Sequence, residues 1–136
     1  MALVAVLLTT HANCPGERVN GPRWEVELDL YSGRPNPRWE LTAEEGRELL
    51  RRLGDLEGSA AGFAPEPPGL GYRGFILVPV GPDDGLTERI EVYGGTITIH
   101  RGRKAVHYRD SRDVEEWLFR QAEGRGHPIP APSYPP

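Results

Sequence analysis

The residues best suited to chemistry lie in one nine-residue stretch, Tyr31-Ser32-Gly33-Arg34-Pro35-Asn36-Pro37-Arg38-Trp39. Arg34 and Arg38 carry planar guanidinium groups, which bind carboxylates and phosphates through two parallel hydrogen bonds. Gly33 permits a positive φ and the two prolines fix the backbone, so we expect a stiff loop that projects both arginines between Tyr31 and Trp39. This pattern indicates a site for an anionic small molecule or a peptide carboxylate.

A tight corner between a strand and a helix requires much the same residues. Asn36 can bond to neighbouring backbone groups, as asparagine does in many turns. Arg34 can stack on Trp39 and so fix the corner without binding any ligand. The loop 31–39 is therefore either a binding site or purely structural, and the sequence leaves both interpretations open.

A second stretch, residues 69–75, places Tyr72 and Arg73 among three glycines. Glycine in a strand allows another segment of backbone to approach closely, although a simple bulge at Gly74 in an edge strand is the alternative. If the loop 31–39 approaches here, Arg34, Arg73 and Tyr72 converge on one site. The candidate ligand-binding residues are therefore Tyr31, Arg34, Asn36, Arg38, Tyr72 and Arg73.

These two stretches resemble those of a group of small, uncharacterised bacterial proteins. The shared pattern is Tyr/Phe-Ser-Gly-Arg-Pro-Asn-Pro-x-Trp with Gly-Tyr-Arg-Gly-Phe further along the chain. The resemblance covers most of residues 24–120, and the Ser-Gly-Arg-Pro-Asn-Pro string is its specific part. It implies no activity.

Other chemistries have weaker support. His100 and His107 are predicted on neighbouring strands, but a pair of histidines is one or two ligands short of a zinc site. Cys14 is the only cysteine, which excludes an internal disulfide and any multi-cysteine metal site. We therefore expect no metal, no cofactor and a non-enzymatic binding domain. The alternative is a hydrolase or lyase in which Tyr72, Arg73 and a histidine perform acid–base chemistry.

Composition limits the partners. A chain of 136 residues fits one domain, and its net charge of −4 argues against nucleic-acid binding, which needs a basic surface. Arg101, Arg103, Lys104 and Arg109 form a basic patch, but no nucleic-acid motif accompanies it. The sequence identifies no protein partner.

Two local patterns predict the elements around the loop. Residues 24–30 alternate apolar and acidic side chains, which predicts a half-buried strand. Thr42 and Glu45 form a capping box that begins a helix over residues 43–53. Gly54 is placed to end that helix in a left-handed conformation.

The second half of the chain is rich in strand signals. A largely apolar run over residues 72–80 is followed by two alternating segments joined by Gly94-Gly95, and a further reversal predicts a three-stranded meander over 87–109. Asp110 or Ser111 then caps a helix. The predicted fold is a small soluble α+β domain: a two-layer sandwich with an antiparallel or mixed sheet of about five strands and two helices on one face.

The predicted domain spans residues 24–124, between an N-terminal segment, 1–23, and an extended proline-rich tail, 125–136. The apolar run 2–8 is far shorter than the about 20 residues of a transmembrane helix. It is compatible with a degenerate export signal, with lipid attachment at Cys14, or with an ordinary first segment. Cytoplasmic and exported locations both stay open.

Overall fold

The computed structural model describes residues 23–54, 56, 65–67, 69, 71–81 and 88–127. Our expectations for the export signal, for Cys14 and for residues 128–136 of the proline-rich tail concern residues outside these ranges.

The described chain forms an antiparallel sheet with two helices. In chain order the elements are β1 (Arg23–Leu28), β2 (Arg38–Glu40), α1 (Ala43–Leu53), β3 (Phe75–Val80), β4 (Glu88–Tyr93), β5 (Thr96–Arg101), β6 (Lys104–Arg109) and α2 (Val114–Gly124). The strand order across the sheet is β2-β1-β3-β4-β5-β6. The predicted α+β sandwich is confirmed, with six strands in the described part of the chain rather than about five.

The strand that the sequence analysis did not predict is β2, which contains the last two residues of the stretch 31–39. It pairs with β1 so that Trp39 lies opposite Val26 and Arg38 lies opposite Glu27. Three residues are too few to show the alternation that predicts a strand. The pairing returns the chain beside β1, so the loop 31–39 is the connection of a β-hairpin as well as the lead into α1.

Both helices pack on the same face of the sheet. Val26, Leu77 and Ile90 lie on successive strands and are almost fully buried there. Leu49 of α1 and Leu118 of α2 belong to the same core. Within the described ranges no helix lies on the opposite face of the sheet, which we call the helix-free face, and many side chains there are polar.

The first helix begins as predicted. The Thr42 hydroxyl accepts a hydrogen bond from the Glu45 amide, and the Glu45 carboxylate accepts one from the Thr42 amide. It also ends at Leu53 with Gly54 as the C-terminal cap, as predicted. Only the predicted left-handed conformation is wrong, because Gly54 has a φ of −66° and its amide donates to the Leu50 carbonyl. Leu56 lies in the core.

The second helix is anchored by Asp110. Its carboxylate accepts hydrogen bonds from the amides of Val114 (2.7 Å) and Glu115 (2.8 Å). These bonds satisfy two of the amides that every helix start leaves free. Burial outweighs them and raises the pKa of Asp110 above its ordinary value of 3.8.

This raised pKa predicts a pH-dependent effect of Asp110→Asn. The folded state binds the proton more tightly than the unfolded state, so the contribution of Asp110 to stability is full below pH 3.8 and is lost as the pH rises through the folded pKa. Asparagine keeps an oxygen acceptor and does not titrate. The free energy of unfolding of the variant, relative to the parent, should therefore rise between pH 3 and pH 7 in urea titrations.

Asp113→Asn is the control for this measurement. It removes the same charge from the same turn, but Asp113 makes no side-chain hydrogen bond to the helix start. A constant difference between Asp110→Asn and the parent across the pH range would contradict the assignment.

Gly74 lies where two backbone segments approach each other closely. Its φ is +107°, and a Cβ atom built there would lie 2.5 Å from the Val92 carbonyl oxygen. Gly33 also has a positive φ, +85°, but a Cβ atom there would have no neighbour within 4 Å. Alanine at Gly74 would therefore meet both a steric overlap and an unfavourable φ, whereas alanine at Gly33 would meet the unfavourable φ alone.

We expect Gly74→Ala to lower the free energy of unfolding by about 3 kcal/mol or more, because both strain and overlap apply. Gly33→Ala, which meets strain alone, should cost about 1–2 kcal/mol. Chemical denaturation of both variants measures the difference. Equal losses would show that the approach to Val92 does not constrain the fold.

Candidate functional site

The loop 31–39 is organised by the side chain of Asn36. Its Oδ1 atom accepts hydrogen bonds from the amides of Leu30 (3.0 Å) and Tyr31 (2.7 Å), and its Nδ2 atom donates to the Glu27 carboxylate (2.8 Å). Nδ2 also lies 3.4 Å from Asp29 Oδ1. Asn36 therefore closes the corner against β1 and has little capacity left for a ligand.

Arg34 lies at the outer surface of this loop. Its guanidinium carbon is 3.7 Å from the centre of the Tyr31 ring, and within the described ranges it forms no ion pair. The alternative partner, Trp39, is buried instead and donates a hydrogen bond from Nε1 to Gln121 Oε1 of α2 (2.9 Å). Arg34 thus keeps its hydrogen-bond donors available to a ligand.

Arg38 is directed back onto the sheet. Its guanidinium lies 3.2 Å from the Glu27 carboxylate and 4.0 Å from that of Glu25. The three acidic side chains that alternate along residues 25–29 therefore form contacts with the loop and with Arg73. They bind β1 to its neighbours across the helix-free face.

Arg73 is fixed by several acceptors around the base of the loop. It donates to Asp29 Oδ1 from Nη2 (2.8 Å) and Nε (3.2 Å), to the Tyr31 carbonyl (3.1 Å) and to the Gly69 carbonyl (2.8 Å). The hydrogen bond and the charge of Asp29 raise the pKa of Arg73 further. Arg34 and Arg73 thus contact the same residue, Tyr31, through its ring and its carbonyl.

Tyr72 has different neighbours. Its ring packs against those of Phe75, Tyr93 and Phe119, at centroid distances of 5.8, 5.6 and 5.1 Å. Its hydroxyl donates a short hydrogen bond to the carboxylate of Glu115. The contacts of Tyr72 are therefore with the aromatic cluster and α2, whereas those of Arg73 are with the base of the loop.

Glu115 is an important residue that the sequence analysis missed. Only 5% of it is exposed, and its carboxylate also accepts hydrogen bonds from the amides of Gly94 (3.2 Å) and Gly95 (3.0 Å). One carboxylate thus joins α2, the β4–β5 turn and the segment before β3. The available signal was its position three residues before Leu118 and seven before Ala122, on the buried stripe of the helix.

The contrast between Asn36 and Arg34 yields a prediction about stability. Asn36→Ala leaves two backbone amides without their acceptor and should lower the free energy of unfolding by about 2 kcal/mol or more. Arg34→Ala removes one exposed cation–π contact and should cost less than about 1 kcal/mol. Urea denaturation of the two variants tests this, and a larger loss for Arg34→Ala would show that the corner depends on the Tyr31 stack.

A groove lies on the helix-free face of the sheet, next to the base of the loop. Its cavity has a volume of about 210 Å³. The sheet forms its floor and the segment 65–67 forms one wall, through Pro65 and Pro67. Of the six candidate residues, Arg73 lines this groove, together with Asp29, Ile76, Arg89, Glu91, Tyr93, Thr96 and Thr98 among others.

The polar groups of the groove differ in how many of their hydrogen-bond donors remain free to bind a ligand. Arg89 contacts Glu91 through Nη2 alone (2.7 Å), and 49% of its side chain is exposed. Thr98 is engaged, because its hydroxyl lies 2.9 Å from His107 Nδ1. The Thr96 hydroxyl makes no hydrogen bond with any described residue. The free donors in the groove therefore belong mainly to Arg89 and Thr96.

The two histidines do not assemble a metal site. His100 Nε2 lies 3.1 Å from Glu91 Oε1, whereas His107 contacts Thr98. Across the part of the chain that the structure describes, no three metal-ligating side chains come together. No helix within the same ranges is long and apolar enough to cross a membrane.

Fold and groove together define a small α+β domain in which, among the described residues, both helices cover one face of the sheet and the other face carries a cavity beside the corner. Comparison of the chain with family models, curated proteins and solved structures finds no match.

Proposed function

We propose that the protein is a non-enzymatic binding domain whose ligand is a small molecule, or a peptide end, that carries one carboxylate. The ligand lies in the groove between the helix-free face of the sheet and the segment 65–67. The observation that supports this most directly is the 210 Å³ cavity, in which the available donors of Arg89 stand beside the apolar surfaces of Ile76, Pro65 and Pro67. Small-molecule sites combine apolar surface with polar groups that fix the orientation of the ligand.

Arg89 is the group that receives the carboxylate. Arg73 uses its donors on Asp29, Tyr31 and Gly69, so its guanidinium is already satisfied. Arg89 has one ion-pair partner in the described part of the chain and is half exposed. Its remaining N–H groups can form the two parallel hydrogen bonds that carboxylates accept from arginine.

Two features limit the ligand. Asp29 and Glu91 line the same groove, and two negative charges 4 Å apart repel each other by about 4 kcal/mol at an effective dielectric constant of 20. A second anionic group on the ligand is therefore disfavoured. The cavity is also smaller than the about 300–1,000 Å³ of sites for drug-sized molecules, which favours a ligand of amino-acid size.

The loop 31–39 serves this function by positioning. Asn36 accepts a hydrogen bond from the Tyr31 amide and contacts Asp29. Tyr31 and Asp29 in turn accept hydrogen bonds from Arg73 and hold it beside the groove. Arg34, with its free donors on the outer surface, is an additional contact for a ligand that extends beyond the cavity.

The contacts favour binding over the hydrolase or lyase alternative. Acid–base chemistry needs Tyr72, Arg73 and a histidine around one substrate. Tyr72 instead donates to the buried Glu115, and Arg73 is held by Asp29. Each histidine contacts a neighbouring side chain on the open face of the sheet.

The test uses pairs of probes that differ only in charge. Phenylacetate and N-acetylalanine should shift the backbone NMR signals of β4 and β5 around the groove. The uncharged phenylacetamide and N-acetylalanine amide should bind at least about tenfold more weakly, because a charge-assisted hydrogen bond contributes about 1.5–3 kcal/mol. Arg89→Gln should reduce the affinity for the two carboxylates to that for the amides and leave the Tm nearly unchanged.

Arg120→Gln is the matched control, because Arg120 is a more exposed arginine on α2 that pairs only with Glu116 in the described part of the chain. Arg34→Ala separates two locations for the anion site. If that variant loses the carboxylates while Arg89→Gln retains them, the site lies at the tip of the loop and the groove assignment is wrong. The absence of any shift at about 10 mM probe, where even a Kd of 1 mM gives near-saturation, would reject the binding function for these ligands.

A further inference from the structure

We propose that the outer edge of β6 is a docking site for an acidic, extended segment of another protein, which adds to the sheet as a further strand. β6 stands at the end of the strand order, so one of its two edges pairs with no strand in the described part of the chain. Edge strands of this kind bind peptides by continuing the sheet.

The hairpin geometry shows which backbone groups face outward. β5 and β6 are joined by the two-residue turn Gly102-Arg103, and the flanking pair is Arg101 with Lys104. In an antiparallel pair closed by such a turn, the flanking residues exchange both hydrogen bonds, and the following pairs alternate. The amides and carbonyls of Ala105 and His107 therefore point away from β5.

An independent contact supports this alternation. The Asp110 amide donates to the Gly95 carbonyl at 2.8 Å, just beyond the last strand pair. Asp110 is an even number of residues from Lys104, so residues 104, 106, 108 and 110 bond inward and residues 105 and 107 face the free edge. A docking strand thus finds two N–H and two C=O groups in a straight row.

β6 is also the longer and smoother of the two sheet edges. Its register with β5 runs unbroken through six pairs, and it contains no proline. The opposite edge, β2, has three residues and follows directly after Pro37. Proteins protect sheet edges with short strands, bulges, prolines and charged side chains, especially lysine. In the described part of the chain the β2 edge is protected by its length and by Pro37, whereas the β6 edge has only the charges of Lys104 and Arg109, which disfavour a basic strand but not an acidic one.

Charge indicates the nature of the occupant. Residues 101–109 contain four basic residues and no acidic one, in a chain whose net charge is −4. Arg101 pairs with Glu88 at 2.7 Å, but Arg103 and Lys104 form no ion pair with any described residue. Opposite charges across neighbouring strands stabilise a sheet and like charges destabilise it. An acidic strand is therefore favoured, whereas pairing with the β6 edge of a second copy brings basic side chains together.

The side chains define the pattern of that strand. Val106 is 45% exposed and lies, with Lys104 and Tyr108, on the side of the sheet that carries the helices. An antiparallel strand places an acidic residue opposite Lys104, an apolar residue opposite Val106 and an acidic residue opposite Arg109. The hexapeptide Glu-Val-Thr-Val-Thr-Glu, with blocked ends, meets these requirements and serves as the probe.

Backbone NMR of the full chain tests the proposal. The probe should shift the amide signals of β6, most strongly those of Ala105 and His107, with smaller shifts in the neighbouring β5 and none in α1 or β1. The peptide Lys-Val-Thr-Val-Thr-Lys has the same strand pattern and should bind at least about tenfold more weakly, equal to about 1.4 kcal/mol. Equal binding of the two peptides, or shifts that are largest outside β6, would overturn the assignment.

Two variants test the edge itself. Ala105→Pro removes an outward N–H and places a ring on the edge, but it breaks no hydrogen bond to β5, so it should abolish peptide binding while the Tm changes little. Lys104→Glu leaves the backbone intact and should remove most of the difference in affinity between the two peptides, because Arg109 still faces the other end of each peptide. Unchanged binding in Lys104→Glu would contradict the role of charge.

Sedimentation of the parent protein tests whether a second copy of the chain occupies the β6 edge instead. A monomer at all concentrations is expected. A dimer that Ala105→Pro dissociates would show that the β6 edge pairs with a second copy, and the proposal of an acidic partner would then be wrong.

Discussion

The described part of the chain has two short helices for the two faces of a six-stranded sheet, and this limit determines how that part is organised. Each helix has eleven residues and is therefore about 16 Å long, whereas six strands spaced about 4.8 Å apart span about 24 Å between the outermost axes. Both helices pack on one face, where the apolar side chains of β1, β3, β4 and β5 form the core. Within the described ranges no helix covers the other face, and ion pairs, two histidines and a groove are found there.

The polar face is stabilised by contacts that cross strands. Arg38 of β2 pairs with Glu27 of β1, and Arg73 joins Asp29 to the backbone of the loop 31–39. Isolated surface ion pairs contribute little, about 0–1 kcal/mol, so the fold does not depend on any one of them. These contacts determine position instead. Asn36 and Arg73 hold the loop 31–39 against the sheet, beside the cavity between the sheet and the segment 65–67.

Glu115 links the two layers. A buried carboxylate is tolerated only when hydrogen bonds replace the water that it loses. Here the Tyr72 hydroxyl and the amides of Gly94 and Gly95 supply them. Because these donors come from two distant segments, Glu115 fixes the β4–β5 turn and the start of β3 relative to α2. Tyr93, next to that turn, forms part of the groove, so the buried network also determines its shape.

The sequence by itself determined the elements whose signals are local. The capping box at Thr42 and Glu45, the alternation in β1 and the Gly94-Gly95 turn each act within a few residues, and α1 and the three-stranded meander follow from them. Only the tertiary structure decided which groups of distant segments meet. The three-residue β2, the burial of Glu115 and the different contacts of Tyr72 and Arg73 all depend on pairings across the sheet. Sequence periodicity reports which face a residue occupies but not which residue lies opposite it, so the groove and the free edge of β6 could not be predicted.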